Sequence, residues 1–416
     1  MSSEARATAP TTAPSMSTVF VDIPPGINSP LEQLGLHLLL AGASHPALRA
    51  YPRMLAGTGV KLPNRQQLEL VKQLHFNMVE FEGRLARAAT THSVPATLIQ
   101  PLGPTLVSDR SVIPRQCDRL VGLTTLIDTD IADTALARGR KADVLVAGST
   151  WQAELLRSHG LSHVVVHSSG VATDIYRPQP ATGGLANRFV IWSCGALDFS
   201  KGQDLIIAAM RIFHARHPEA LLICNWNNRW PELMRGFEGA RHVSAHPSLH
   251  GGELGIAAWA ESNGLPPSAI AVVPSLPNPQ LADFVREADV ALFPARAESA
   301  PSTAALECLA MGIPTIIAAN TGHLDIVHHG GCLPLTHQGP VTGAPATIRG
   351  TEGWGESSVE EIVERLESVY QDRAAAKQRA TAAAEALAPL AWPTHTRRLL
   401  DTLLPIFQSA TERPLA

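Results

Sequence analysis

The chain has 416 residues, 45% of them hydrophobic and 17% charged, and at roughly 100–200 residues per domain that length predicts two or three compact units. A formal charge of -4 argues against a protein built to blanket nucleic acid, and 7 Trp, 3 Tyr and 10 Phe are too few for an RNA-stacking sheet. The five cysteines (Cys117, Cys194, Cys224, Cys308, Cys332) are odd in number and have no close pair; they fit neither a disulfide framework nor a Cys-pair zinc site, and predict reduced thiols in a cytoplasmic protein.

Residues 1–17 hold Ser, Thr, Ala and Pro without the apolar core of a signal peptide, and are read as a disordered lead-in. No run of about 18 apolar residues predicts a spanning helix, which leaves peripheral contact through a helix face open. Short aliphatic runs then alternate with helical patterns, the signature of a parallel sheet covered on both faces. In the first half the predicted strands are Val19–Ile23, Ala96–Gln100, Leu120–Ile127, Val144–Ala147 and Val164–His167, with helices over Arg65–Arg87 and Ser149–His159. The stretch Ser168–Asn187 has no sustained period and reads as a linker. The rhythm restarts with Phe189–Ser193, a helix from Gly202 to His217, then Ala220–Cys224, Ile270–Val273, Val290–Phe293 and Thr315–Ala318. Beyond Ser357 three helical stretches follow, the last near Arg397–Phe407. The expectation is an α/β chain of two doubly wound, Rossmann-like domains, 18–180 and 181–390, with C-terminal packing helices and a helix in 391–416 returning to the first domain.

Two stretches carry chemistry. In FPARAESAPSTAALECLAMGIPTIIAAN (Phe293–Asn320) a strand ends, a short loop carries Glu298, and a helix starting near Pro301–Ser302 carries Glu307. Backbone N–H groups at the carboxyl end of a parallel strand and at a helix N-terminus suit an anion, and the two carboxylates suit hydroxyls beside it. In GALDFSKG (Gly195–Gly202) the turn places Lys201 toward the same crevice, a point charge for a leaving diphosphate. That lysine is one of only five, beside Lys61, Lys72, Lys141 and Lys377.

The order GALDFSKGQDLIIAAMRIF, HPEALLICNW and LADFVREADVALFPARAESAPSTAALECLAMGIPTIIAANTGHLDIV resembles the nucleotide-sugar-binding half of retaining glycosyltransferases of the GT-B fold, the glycogen-synthase-like and sucrose-synthase-like group. DVLVAGSTWQAELLRSHGLSHVVVHSSGVATDIYRP resembles the end of that group's N-terminal domain; the likeness covers roughly residues 140–405. It implies two domains facing across a cleft, the first on the acceptor side. It also implies a hexose-type sugar moved from a UDP- or GDP-sugar with retention, with no cofactor or metal required. Carried over, Glu298 contacts the donor sugar, Glu307 the ribose, Lys201 the diphosphate with the Ala300–Thr303 loop (Ala300, Pro301, Ser302, Thr303), and the backbone at Ser275 and Leu276 the base. Gly26 and Ile27 in PPGIN approach the phosphates or the acceptor from the opposite domain. The acceptor itself (protein, glycan, lipid or small molecule) is not legible.

The sequence also departs from that pattern. Eight residues rather than seven separate the glutamates, Pro301 removes an amide donor, and Ala196 and Ser200 stand where basic residues are common. These departures motivate a second reading, a catalytically weakened GT-B-shaped scaffold partner of an active glycosyltransferase; a nucleotide-sugar epimerase lacks its two-lobe acid/base cluster. Elsewhere the bland readings stand beside the sharp ones. His242, His246 and His250 are four apart but interrupted by Pro247, and they and His328–His329 read as surface residues rather than metal ligands. His92, His75 and His37 sit in no motif. Asp128 and Asp130 are either active-site side chains or a cap for the following helix. Trp226 and Trp230 read as core or rim, and Gly322–Asp325 as the mouth of the donor site.

Overall fold

A computed structural model describes residues 16–53, 62, 64–87, 94–107, 117–227, 231–250 and 253–410. In the first half the strands are β1 (Ser17–Val21), β2 (Leu48–Pro52), β3 (Val94–Leu102), β4 (Cys117–Thr124), β5 (Val144–Ala147) and β6 (Val164–Val166). They pair, all in parallel, in the order β2-β1-β3-β4-β5-β6. The helices between are α1 (Pro30–Ala43), α2 (Arg65–Arg87), α3 (Asp133–Gly139) and α4 (Thr150–Ser158).

The second half repeats the plan. Its strands are β7 (Phe189–Gly195), β8 (Ala220–Trp226), a small hairpin β9 (Leu249–His250) and β10 (Glu253–Leu254), β11 (Ile270–Val272), β12 (Val290–Phe293), β13 (Thr315–Ala318) and β14 (Leu333–Leu335). The six main strands pair in parallel as β11-β8-β7-β12-β13-β14. Helices α5 (Gln203–Arg216), α6 (Ile256–Ser262), α7 (Asn278–Val285), α8 (Thr303–Ala310) and α9 (Leu324–His329) cover it. A two-stranded ladder, β15 (Gln338–Gly339) with β16 (Glu356–Ser357), brackets a long strap, and α10 (Val359–Gln371), α11 (Arg373–Ala384) and α12 (Trp392–Gln408) close the chain.

Local chemistry explains the boundaries. Ser29, Ser149, Ser302 and Ser358 each accept an N–H of the first turn and start α1, α4, α8 and α10. The central strands β5, β12 and β13 are buried along their whole length, so they read as continuous apolar runs without alternation. The expected elements omit α1, whose Leu-rich stretch is apolar nearly all round because it lies inside, the edge strands β2 and β14, and short elements such as α6, α7 and α9. Strand β4 ends at Thr124 rather than Ile127, because Thr124 turns its hydroxyl onto the Val146 carbonyl (2.9 Å) and the chain leaves the sheet. The last helix starts five residues earlier than its pattern suggests, with Pro393 in its first turn.

Cores flank both sheets, and the last helix joins the first of them. Leu399, Leu400, Leu403 and Phe407 of α12 pack with Val19, Leu38 and Leu39. The crossing is held where Val171 bridges Ala391: the Val171 amide donates to Leu390 and the Trp392 amide to Val171. Among the described residues no helix is long and apolar enough to cross a membrane, and all five cysteines are free thiols.

Candidate functional site

The carboxyl ends of the two sheets face each other across a cavity of about 460 Å³, the place where open parallel sheets bind ligands. The first lobe contributes Asn28 and Ser29 at the start of α1, Thr124 and Thr125 after β4, and Gly148 after β5. Its wall is pinned by buried Gln152, which accepts from the Gly148 amide (2.7 Å) and donates to Leu126 (2.9 Å). The second lobe contributes Ser193 to Ala196, Lys201, Asn225, Glu298 to Ala304 and Glu307.

Lys201 Nζ donates to Glu298 Oε2 at 2.6 Å. Both sit on short turns that are tied together. Lys201 ends the 3₁₀ turn Phe199–Lys201, capped by Asp198, and Gly202 follows at φ 72°, where a Cβ would lie 2.4 Å from the Pro294 carbonyl. Only glycine permits that approach. The Arg296 and Ala297 amides donate to the Ser200 carbonyl, at 2.7 and 3.2 Å, so the Glu298 loop hangs on the Lys201 turn. Beneath it, fully buried Arg296 forms a fork with Asp204 (2.8 and 2.7 Å), reaches Glu356 (2.7 Å), donates to the Phe199 carbonyl and lies over the Phe199 ring. Burial pushes the Glu298 carboxyl above its ordinary range, against the Lys201 ammonium that pulls it down.

The α8 N-terminus opens into the cavity through Ser302 and Thr303, and Glu307 lines the wall one turn further on. Burial pushes Glu307 up to about 8, opposed by the neighbouring Tyr176 hydroxyl, which donates to the Asn278 carbonyl (3.3 Å). Such a carboxyl is mostly protonated at neutral pH and both donates and accepts. Two helix N-termini, of α1 and α8, thus border one cavity with one ammonium.

Of the residues expected from sequence, Lys201, Glu298, Glu307 and Ala300, Pro301, Ser302 and Thr303 line this cavity together. Gly26, Ile27, Ser275 and Leu276 do not; Asn28 and Ser29 line it in place of the first two, and Asn225 and Asn278 in place of the others. Asn225 donates to the Val273 and Pro274 carbonyls, which ties the end of β8 to the Ser275 loop. Asp128 and Asp130 are neither in the cavity nor caps: α3 begins at Asp133 behind Ala132, without a side-chain cap, and Asp128 accepts the amides of Arg349 and Gly350. Trp226 is core, its indole N–H on Ser193. Asp325 accepts the Thr150 amide (2.9 Å) and so joins the lobes at the mouth. His242 bonds Glu356; His37 stacks on Trp392, and burial lowers it to about 4. His92 and Trp230 lie outside the described residues. Among the described residues no three His, Cys, Asp or Glu side chains form a metal cluster.

Sequence reasoning missed Arg296, Gln203, His167 and Trp392. Gln203 and His167 line the cavity, and Trp392 reaches it from α12 with its indole N–H on Gln33. The signal for Arg296 was present, an arginine two residues before Glu298, but its partners Asp204 and Glu356 are far away in sequence.

The family model described as Family 4 Glycosyltransferase in conflict systems matches residues 132–399. The chain belongs to this glycosyltransferase family. The family 4 segment takes in the Lys201 turn, the Glu298 loop and the first turns of α12. A curated relative, the D-inositol 3-phosphate glycosyltransferase of Thermobispora bispora, is 31% identical over 201 residues, 45% of this chain and 43% of that protein, so the match spans less than half the relative's length. Among solved structures the sucrose-phosphate synthase of Thermosynechococcus elongatus superposes with a TM-score of 0.60 at 14% identity, covering 94% of this chain and 99% of that one. HepE of Anabaena in complex with UDP gives 0.59 at 14% identity, covering 94% and 100%. An α,α-trehalose-phosphate synthase (UDP-forming) of Burkholderia vietnamiensis gives 0.59 at 10%, covering 95% and 100%. The fold is GT-B, two parallel six-stranded sheets with flanking helices.

Proposed function

We propose that this family 4 protein transfers a hexose-type sugar from a nucleoside diphosphate sugar, UDP- or GDP-linked, to an acceptor hydroxyl with retention of anomeric configuration and without a metal. The carrying observation is the Lys201–Glu298 pair at 2.6 Å beside the open α8 N-terminus. An ammonium and helix amides stabilise a departing diphosphate, which is where most of the acceleration of such a transfer arises. Glu298 holds donor-sugar hydroxyls, Glu307 the ribose, and the Asn225–Asn278 edge the base. The C1–oxygen bond breaks with its electron pair passing to the diphosphate. The acceptor oxygen bonds C1 from the same face, and its proton goes to the leaving phosphate oxygen. The complexes of HepE with UDP and with UDP-glucose support a UDP donor. The free thiols support a cytoplasmic location.

Calorimetry with UDP, GDP and a panel of their sugars tests this. One nucleotide binds, and Lys201→Ala weakens it by about 10–100-fold, the loss of one charge-assisted contact. Wild type that binds none of them overturns the reading. A scaffold without turnover is the second reading, favoured by Ala196, which lines the phosphate side of the cavity with no charge. Donor binding without donor hydrolysis or transfer over a broad acceptor panel separates it, and NMR of the product anomer decides retention.

A further inference from the structure

The strap from Pro340 to Gly355 belongs to the second lobe, yet its far end lies on the first. Asp128 accepts the Arg349 amide (2.9 Å) and the Gly350 amide (2.8 Å). Thr129 donates its amide to the Gly350 carbonyl (3.1 Å) and accepts the Glu352 amide on its hydroxyl (3.0 Å), while the Trp354 indole donates to the Ile127 carbonyl (3.0 Å). Ile127 and Trp151 of the first lobe pack with Trp354 and Ile348 on the core of the second. The fit leaves no slack: a Cβ on Gly350 would lie 2.4 Å from the Asp130 amide. On leaving this contact the chain delivers Glu356 to Arg296, whose own amide hangs the Glu298 loop on Ser200.

We propose that this strap is an interlobe latch and Glu356 a positioning residue: docking on Ile127–Asp130 seats Glu356 against Arg296 and thereby sets the Glu298 loop for the donor. The proposal rests on the donor site argued above for its last step only. A free pair of lobes joined by a linker and one helix would rock about that hinge. A latch on the far side instead keeps the cleft walls in register before the donor arrives, so that less ordering is left for binding.

The test uses the full chain with Gly350→Ala, which wedges a methyl into the docked contact, and Asp128→Ala, which removes the carboxylate that accepts the Arg349 and Gly350 amides; neither residue lines the cavity. Hydrogen exchange is followed by mass spectrometry and UDP binding by calorimetry. Both variants are expected to speed exchange over 127–131 and 340–356 and also over the 294–300 loop, and to weaken UDP about tenfold while thermal unfolding stays cooperative. Exchange unchanged at 127–131 and 340–356 overturns the latch. Faster exchange there, with the 294–300 loop and UDP affinity unchanged, overturns the coupling. GDP replaces UDP in the binding arm where wild type binds GDP instead; should wild type bind neither, the donor reading is the casualty, and the exchange pattern still decides the latch.

Discussion

Glu307 and Arg296 show how burial turns ordinary side chains into devices. Glu307 has its carboxyl pushed from 4.5 to about 8 by burial. Between those values the folded chain keeps a proton that the unfolded chain has released. Its stabilising contribution is therefore full below pH 4.5 and is lost as pH rises through 8. The melting temperature of wild type is expected to decline over pH 5–8 more steeply than that of Glu307→Gln, by roughly a few degrees across the window. Parallel declines in scanning calorimetry would mean that the folded carboxyl is ionised. Arg296 lies at 0% exposure between Asp204, also at 0%, and Glu356. Arg296→Met strands the Asp204 carboxylate, and urea unfolding should report a loss of about 3–5 kcal/mol. A loss under 1 kcal/mol would show that water reaches the fork.

At the scale of elements, the parallel strands were the most legible part of the chain. β5, β12 and β13 coincide with their apolar runs because burial on both faces leaves no alternation to misread. Edge strands β2 and β14 escaped because their runs are short and only partly apolar: Leu48–Pro52 alternates arginine and tyrosine with buried positions. Helix α12 answers to the expected helix in 391–416 that returns to the first domain. Its spacing of Leu399, Leu403 and Phe407 marks an apolar stripe, and the stripe lies on the first sheet's core, across the cleft from the strands that precede it. Leu403→Ala should therefore lower stability by about 2–5 kcal/mol, the range for a buried leucine. Limited proteolysis of that variant should expose sites in α1 as well as α12, since the two helices pack on each other; cleavage confined to α12 would contradict the shared core.

For the whole molecule, three of the contacts that join the lobes are the Val171–Ala391 crossing, the mouth where Ser149 Oγ donates to the Ser299 carbonyl (2.8 Å) and the Thr150 amide to Asp325, and the strap on Asp128. None of the three has a local sequence signature, since each depends on residues 150 or more positions apart. The candidate site divides along the same line. Lys201, Glu298, Glu307 and the α8 N-terminus were legible because a strand, a turn and a helix start fix them locally, and local hydrogen bonding carries its own residue preferences. Read from residues alone, the chain declared two doubly wound sheets, a phosphate-type turn and the charges at it, because periodicity and capping act over a few residues. Tertiary structure alone decided that Asp128 serves a strap, that Arg296 holds the Glu298 loop from below, and which loops of the first lobe line the cavity. Those outcomes follow from burial and desolvation, which exist only once distant segments have packed.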